Sequence, residues 1–318
     1  MKRILTALFA ILMVFSLVAC SKGGTTMTMG TGGQQGTYFS FGSTLGTTIQ
    51  EKTGINVSVV STDGSKANIE GIKEDLYQLA TVQSDVMSYA WNGTGTFASV
   101  GKIDAFRVVA GLYQEAVQLV TVDPSIKTIA DLKGKTVSNG ANGSGVYFNA
   151  LDVLAAAGLT VDDIDAKYQD FGASADSLKD GKIQAAFVVA GAPTAAITEL
   201  CSGNSNVRIV PIDGTYAESM MAKNKFYTTY TIKAGTYAGQ TEDVTTVAVK
   251  ATLIVDADAT EADVYNLTKA IFDNVATITE NHAKGAELTL ENATEGMDVP
   301  FHAGAAKYFA EKGIEVAK

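Results

Sequence analysis

The chain has 318 residues and carries 24 Lys and Arg against 34 Asp and Glu, a formal charge of −10. An acid excess of this size argues against nucleic acid and against electrostatic adhesion to anionic lipid, since both need a cationic patch. The length exceeds one ordinary core and predicts two lobes. His282 and His302 are the only histidines, and Cys20 and Cys201 the only cysteines, so neither a His/Cys metal cluster nor a disulfide framework is expected, and no cofactor is implied.

The first element is an export signal. Lys2 and Arg3 precede an apolar run from Ile4, interrupted by Thr6 and Ser16, that ends in Leu17-Val18-Ala19-Cys20. The run is about fifteen residues, short of the roughly 20 needed to span a bilayer. It resembles a bacterial lipoprotein signal. Residues 1–19 are then the signal peptide, Cys20 the lipid-modified first mature residue, and 20–26 a polar tether. The protein is expected outside the cytoplasm, held by that lipid to the bacterial cell membrane on its periplasmic or outer face. Cleavage removes Lys2 and Arg3 and no acid, so the mature chain is more acidic still and keeps only two arginines, Arg107 and Arg208.

After the tether, short β-branched runs alternate with helical patterns. Strands are predicted at 27–29, 56–60, 80–82, 106–110 and 117–122, with helices over 37–53 and 66–74. The pattern restarts after Asp123-Pro124 with strands at 136–138, 166–169, 185–189 and 207–211 and a helix over 146–157. An apolar run over 244–255 returns the chain to the first lobe, and 261–279 is the clearest helix of the C-terminal part. Such alternation indicates an α/β fold with a mainly parallel sheet. It predicts lobe 1 from 27–120 and 247–318, and lobe 2 from 121–246, joined by two crossings.

Four turns that open helices are rich in Gly, Ser or Asn: Gly30 to Gly36, Asp63 to Asn68, Gln83-Ser84-Asp85, and Asn139 to Gly145. Helix N-termini expose unpaired N–H groups and a positive dipole end, and glycine lets that backbone approach a ligand closely. In sheets of this type these turns lie at the carboxyl ends of strands, where ligands bind. The candidate ligand contacts are Gly33, Tyr38, Gly64, Ser65, Asn68, Ser84, Tyr113, Asn142, Gly143, Ser144, Gly145, Gly191 and Pro193. Ser65 and Asp85 are also ordinary N-cap residues by type. Both mature arginines sit in strand patterns, so backbone N–H groups around Gly33, Gly64-Ser65 and Gly143-Ser144-Gly145 are expected to hold the carboxylates of an anionic solute.

These segments, taken in order, resemble the TAXI-type receptors of TRAP transporters. The resemblance runs through Gly30-Thr31-Gly32-Gly33…Gly36-Thr37-Tyr38, Asp63-Gly64-Ser65-Lys66-Ala67-Asn68, Val82-Gln83-Ser84-Asp85 and Ala110-Gly111-Leu112-Tyr113. It continues in Asp131-Leu132-Lys133-Gly134, Asn142-Gly143-Ser144-Gly145, Gly191-Ala192-Pro193-Thr194 and Pro300-Phe301-His302-Ala303-Gly304. Phe39, Ser40 and Ala303 depart from the family's usual residues. The resemblance implies a two-lobed, type II-like periplasmic-binding-protein fold with the ligand cleft between the lobes. It further implies a monomeric, non-enzymatic receptor that passes a small anionic or zwitterionic solute (glutamate, glutamine, or a dicarboxylate such as 2-oxoglutarate) to a TRAP-type integral membrane permease.

Other classes leave weaker traces. A receptor for an ATP-driven importer would share most of these features, as would a sensory ligand-binding protein. An exported α/β enzyme would rest on Gly30-Thr31-Gly32, but Gln35 occupies the third glycine position of the dinucleotide fingerprint. Neither Ser144 nor Cys201 has an evident base, and no catalytic residue is assigned.

Overall fold

The computed structural model describes residues 24–204 and 206–318; the signal peptide and Cys20 lie outside them. In chain order the first part runs β1 (Thr26–Gly30), α1 (Thr37–Thr53), β2 (Asn56–Val60), α2 (Ser65–Lys73), β3 (Leu79–Gln83), α3 (Ser84–Asn92) and β4 (Phe106–Thr121). The second part runs β5 (Thr136–Ser138), α4 (Val146–Ala156), β6 (Asp165–Lys167), α5 (Phe171–Lys179), β7 (Ala185–Ala190), α6 (Ala195–Gly203), β8 (Arg208–Val210), α7 (Gly214–Lys223) and β9 (Thr228–Ile232). The chain returns through β10 (Val244–Asp256) to α8 (Glu261–Phe272), α9 (Val275–Asn281), α10 (Leu290–Thr294) and α11 (Ala303–Glu311).

The strands form one continuous sheet in the order β2-β1-β3-β10-β4-β7-β5-β6, with β8 also on β4 and β9 also on β10. β1, β2 and β3 are parallel, as are β5, β6 and β7, whereas β4 and β10 run antiparallel to their neighbours. The expected α/β class and two-lobed fold are what the chain adopts, but the sheet is mixed and not mainly parallel, because β4 and β10 run antiparallel to every strand they pair with. Helix α1 shows the local logic. Phe41, Leu45 and Ile49 recur every fourth residue and are buried as one stripe. The helix stops at Gly54, whose left-handed φ of 77° lets its N–H bond the Gln50 carbonyl.

The first core gathers Met29, Phe41, Val82, Leu253 and Phe309. In the second part, successive residues of β4 and β7 point to opposite faces. Leu119 and Phe187 enter one core, while Val120 and Val188 enter another across the sheet. The cores adjoin along β4 and β10, and Phe148 of α4 packs into the first core.

Three elements differ from expectation. The segments 106–110 and 117–122 are one strand, β4, because no turn residue divides them; Gly111 fits where a Cβ would stand 2.6 Å from the Asn292 carbonyl oxygen. The run 261–279 is two helices. Asp273 is held from α11 by the Tyr308 hydroxyl at 2.9 Å, and Asn274 leaves helical geometry with ψ 26°. Strand β9, Thr-Thr-Tyr-Thr-Ile, went unpredicted although its β-branched and aromatic content is a strand signal.

Candidate functional site

The turns that leave β1, β2, β5, β6 and β7 converge, as the carboxyl ends of parallel strands must. They enclose a cavity of about 60 Å³, room for roughly four to six waters and so for a small solute. From the first lobe come Gly32, Gly33, Gly36, Thr37 and Tyr38 after β1, Thr62 to Ser65 after β2, and Gln83 at the end of β3. From the second come Ala141 and Ser144 to Val146 before and at the start of α4, Asp170 and Phe171 at the start of α5, and Val189 and Ala190 on β7. Glu115 of β4 lines it from the strand the lobes share.

The walls touch on both sides of the cavity. The Ala67 N–H donates to the Gly143 carbonyl at 3.0 Å, and the Thr37 hydroxyl donates to the Gly191 carbonyl at 3.2 Å. Gly64 has φ 106°, a conformation that only glycine adopts without strain, and it brings the start of α2 against Ser144. Gly145 packs on the Gln83 amide so closely that any Cβ would collide with Oε1. Glycine is therefore required at 64 by backbone conformation and at 145 by close approach.

The electrostatics of the lining are one-sided. Glu115 is buried, and its Oε2 accepts a hydrogen bond from the Tyr38 hydroxyl at 2.8 Å. Burial holds its carboxyl well above the usual range; the Tyr38 hydrogen bond opposes the shift, nearby Asp85 adds to it, and Lys284 opposes it. Asp63 and Asp170 stand at the exposed rim, and Asp170 accepts from the Ala173 N–H as the N-cap of α5. Among the described residues no Lys, Arg or His lines the cavity. Arg107 donates to the Asp104 and Phe106 carbonyls, and Arg208 to the Asp123 and Ile126 carbonyls.

Of the thirteen predicted contacts, Gly33, Tyr38, Gly64, Ser65, Ser144 and Gly145 line the cavity. The other seven do not. Asn68 is spent inside the first lobe, donating to the Thr31 and Thr81 carbonyls at 2.6 and 2.8 Å. Ser84 is buried beside Lys250, whose N–H reaches its hydroxyl at 3.4 Å. Tyr113 is in the core, its ring edge-on to Phe41. Asn142 is exposed, Gly143 and Gly191 use their carbonyls to join the lobes, and Pro193 faces an outer groove beside His282. The two residues expected by type as caps act otherwise. Ser65 is the first residue of α2, and its hydroxyl accepts from the Gln83 N–H at 3.1 Å. Asp85 accepts from the Val86 N–H and, across the lobes, from Asn149 at 3.0 Å.

Glu115, Gln83, Asp170 and Phe171 were missed. Glu115 had a signal, as the lone acid within the apolar stretch from Val108 to Val122. Asp170 and Phe171 follow a weak three-residue strand and had none.

Solved structures share this fold. The alkanesulfonate-binding protein of Xanthomonas axonopodis pv. citri, bound to MOPS, is 14% identical with a TM-score of 0.51, covering 91% of each chain. A protein of Bordetella bronchiseptica RB50 is 16% identical with a TM-score of 0.55, covering 91% of this chain and 89% of its own. A protein assigned to L-cystine ABC transport in Listeria monocytogenes is 14% identical with a TM-score of 0.53, covering 83% and 98%. These likenesses show the fold, and the TAXI-type TRAP assignment is corrected by the family match. Several of its motifs are Gly-rich turns, and glycine there serves close backbone approach, which by itself does not identify a transporter class. The family model that matches residues 29–313 describes the NMT1-like family, and the chain belongs to that family.

Proposed function

We propose that the protein is an extracytoplasmic solute-binding receptor that closes on a small solute and presents it to an ATP-driven membrane importer. The observation that carries this reading is the cavity enclosed by turns from both lobes, with glycines at the points of closest approach. The fold neighbours support it, since one binds alkanesulfonates and another is assigned to an ABC transporter. Lobe 1 is taken as 27–120 with 247–318 and lobe 2 as 121–246, and lipid on Cys20 would keep the receptor near its importer. Gly33, Tyr38, Gly64, Ser65, Ser144 and Gly145 are the proposed contacts among the predicted set. Binding then shifts the population towards the closed form.

Titration calorimetry against amino acids, alkanesulfonates and dicarboxylates should find a solute that binds, with compaction in solution scattering. Uptake of that solute into vesicles carrying the receptor and its importer should require ATP hydrolysis. Uptake driven by an ion gradient alone would overturn the importer class.

A further inference from the structure

The cavity is lined by acceptors that lack donors. Glu115 Oε2 takes the Tyr38 hydroxyl, but among the described residues its Oε1 has no partner. Among the described residues the buried Gln83 Oε1 has no partner. Asp63 and Asp170 add two carboxylates at the rim, and no cationic side chain among the described residues lines the cavity opposite them. Lys284, the cation whose charge reaches Glu115, is bonded to Glu287 at 2.7 Å. A buried carboxylate with one hydrogen bond and no counter-ion lacks compensation for the water it lost. The opposite character is found at the starts of α2 and α4. The Ala67 and Phe148 N–H groups are taken by the Gly143 and Gly145 carbonyls, but among the described residues the Ser65, Lys66 and Val146 N–H groups have no acceptor, and the dipole there favours negative charge.

We propose that the solute is a zwitterion carrying a primary ammonium, either an amino acid or an aminoalkylsulfonate, and that Glu115 receives the ammonium while the N-termini of α2 and α4 receive the acidic group. This rests on the receptor reading above. An ammonium brings three donors, which suits Glu115 Oε1 and Gln83 Oε1 together. A dicarboxylate or an unsubstituted sulfonate brings no donor for Gln83 Oε1 and no positive charge to draw the proton from the buried Glu115 carboxyl and pair with it. Glu115 is thus the residue that separates amino-bearing solutes from amine-free solutes of the same shape.

The test is calorimetric titration of the full chain with paired probes: the proteinogenic amino acids against their 2-oxo acids, and taurine against ethanesulfonate. An amino-bearing probe should bind, and its amine-free partner about 10- to 100-fold more weakly, the scale of a lost charged hydrogen bond. Glu115→Gln, which keeps the shape, should collapse that ratio. Should that variant fail to fold, Tyr38→Phe gives the second reading, with amine binding weakened about tenfold and the ratio reduced. An amine-free partner binding within tenfold of its amine, or a folded Glu115→Gln that keeps wild-type discrimination, overturns this inference and leaves the receptor reading standing. Binding by no probe of either panel removes the receptor reading for these solutes, and this inference with it.

Discussion

Two buried carboxylates lie where the lobes meet, and the protein treats them differently. Asp85 of α3 is surrounded by donors and by a continuing network. The Val86 N–H reaches it at 2.9 Å and Asn149 of α4 at 3.0 Å; Asn149 also donates to the Tyr227 hydroxyl, which donates to Asp152. Tyr89 and Asn224 make a parallel link across the same seam. Glu115 has Tyr38 alone and empty space beside it. An acid that accepts from its own helix and from the opposite lobe is a contact between lobes, whereas an acid left half-filled at a cavity is a place for a ligand's donor.

The largest expected effect concerns Asp85. Burial, the first cause, raises its pKa from 3.8 to about 7, against the hydrogen bonds from Val86 and Asn149, while Asp152 adds a smaller push upward. The folded state therefore holds a proton that the unfolded state has released. The associated stability is present at acid pH and is lost as pH rises from 3.8 to about 7. Between about pH 5 and pH 8 the loss is of order 3 kcal/mol. Asp85→Asn should flatten that part of the melting-temperature profile and raise the melting point at alkaline pH, because the Asn149 amide can turn its unpartnered Oδ1 towards the new donor. Burial also raises the carboxyls of Asp152 and Glu115, so a profile unchanged by Asp85→Asn would move the titration to one of them.

Asn149→Ala tests the network itself. It strips Asp85 and Tyr227 of their shared donor and should cost about 2 kcal/mol in denaturant titration, with a larger loss at pH 8 than at pH 5. A cost near zero would mean that the seam is incidental and that the contrast with Glu115 is wrong. The smallest effect is expected for Ser65→Ala at the cavity. Only the bond from the Gln83 N–H is lost in the empty protein, about 1 kcal/mol, while solute affinity should fall more than stability does. Equal losses in both would place Ser65 with the structural contacts and not with the ligand.

Much of the frame was legible because it is local. The α1 span 37–53, the parallel β-α units and the return strand over 244–255 follow from side-chain periodicity and from turn residues, which neighbours along the chain enforce. The Gly-rich turns after β1, β2 and β5 were legible as helix-opening turns for the same reason, and six predicted residues in or beside them line the cavity. Their composition did not single out a transporter class, since glycine there serves close backbone approach.

The sequence by itself determined the alternation of strands and helices, the acidic balance, and the positions where backbone N–H groups could face a ligand. Tertiary structure decided which side chains are left without partners. Asn68 and Tyr113 looked available in the sequence and are consumed or buried by the first core, while Glu115 looked like one polar residue in a strand and stands half-satisfied at the cavity. Hydrogen-bond satisfaction depends on residues distant in sequence, such as Tyr38 for Glu115 and Asn149 for Asp85, and no local pattern carries that pairing.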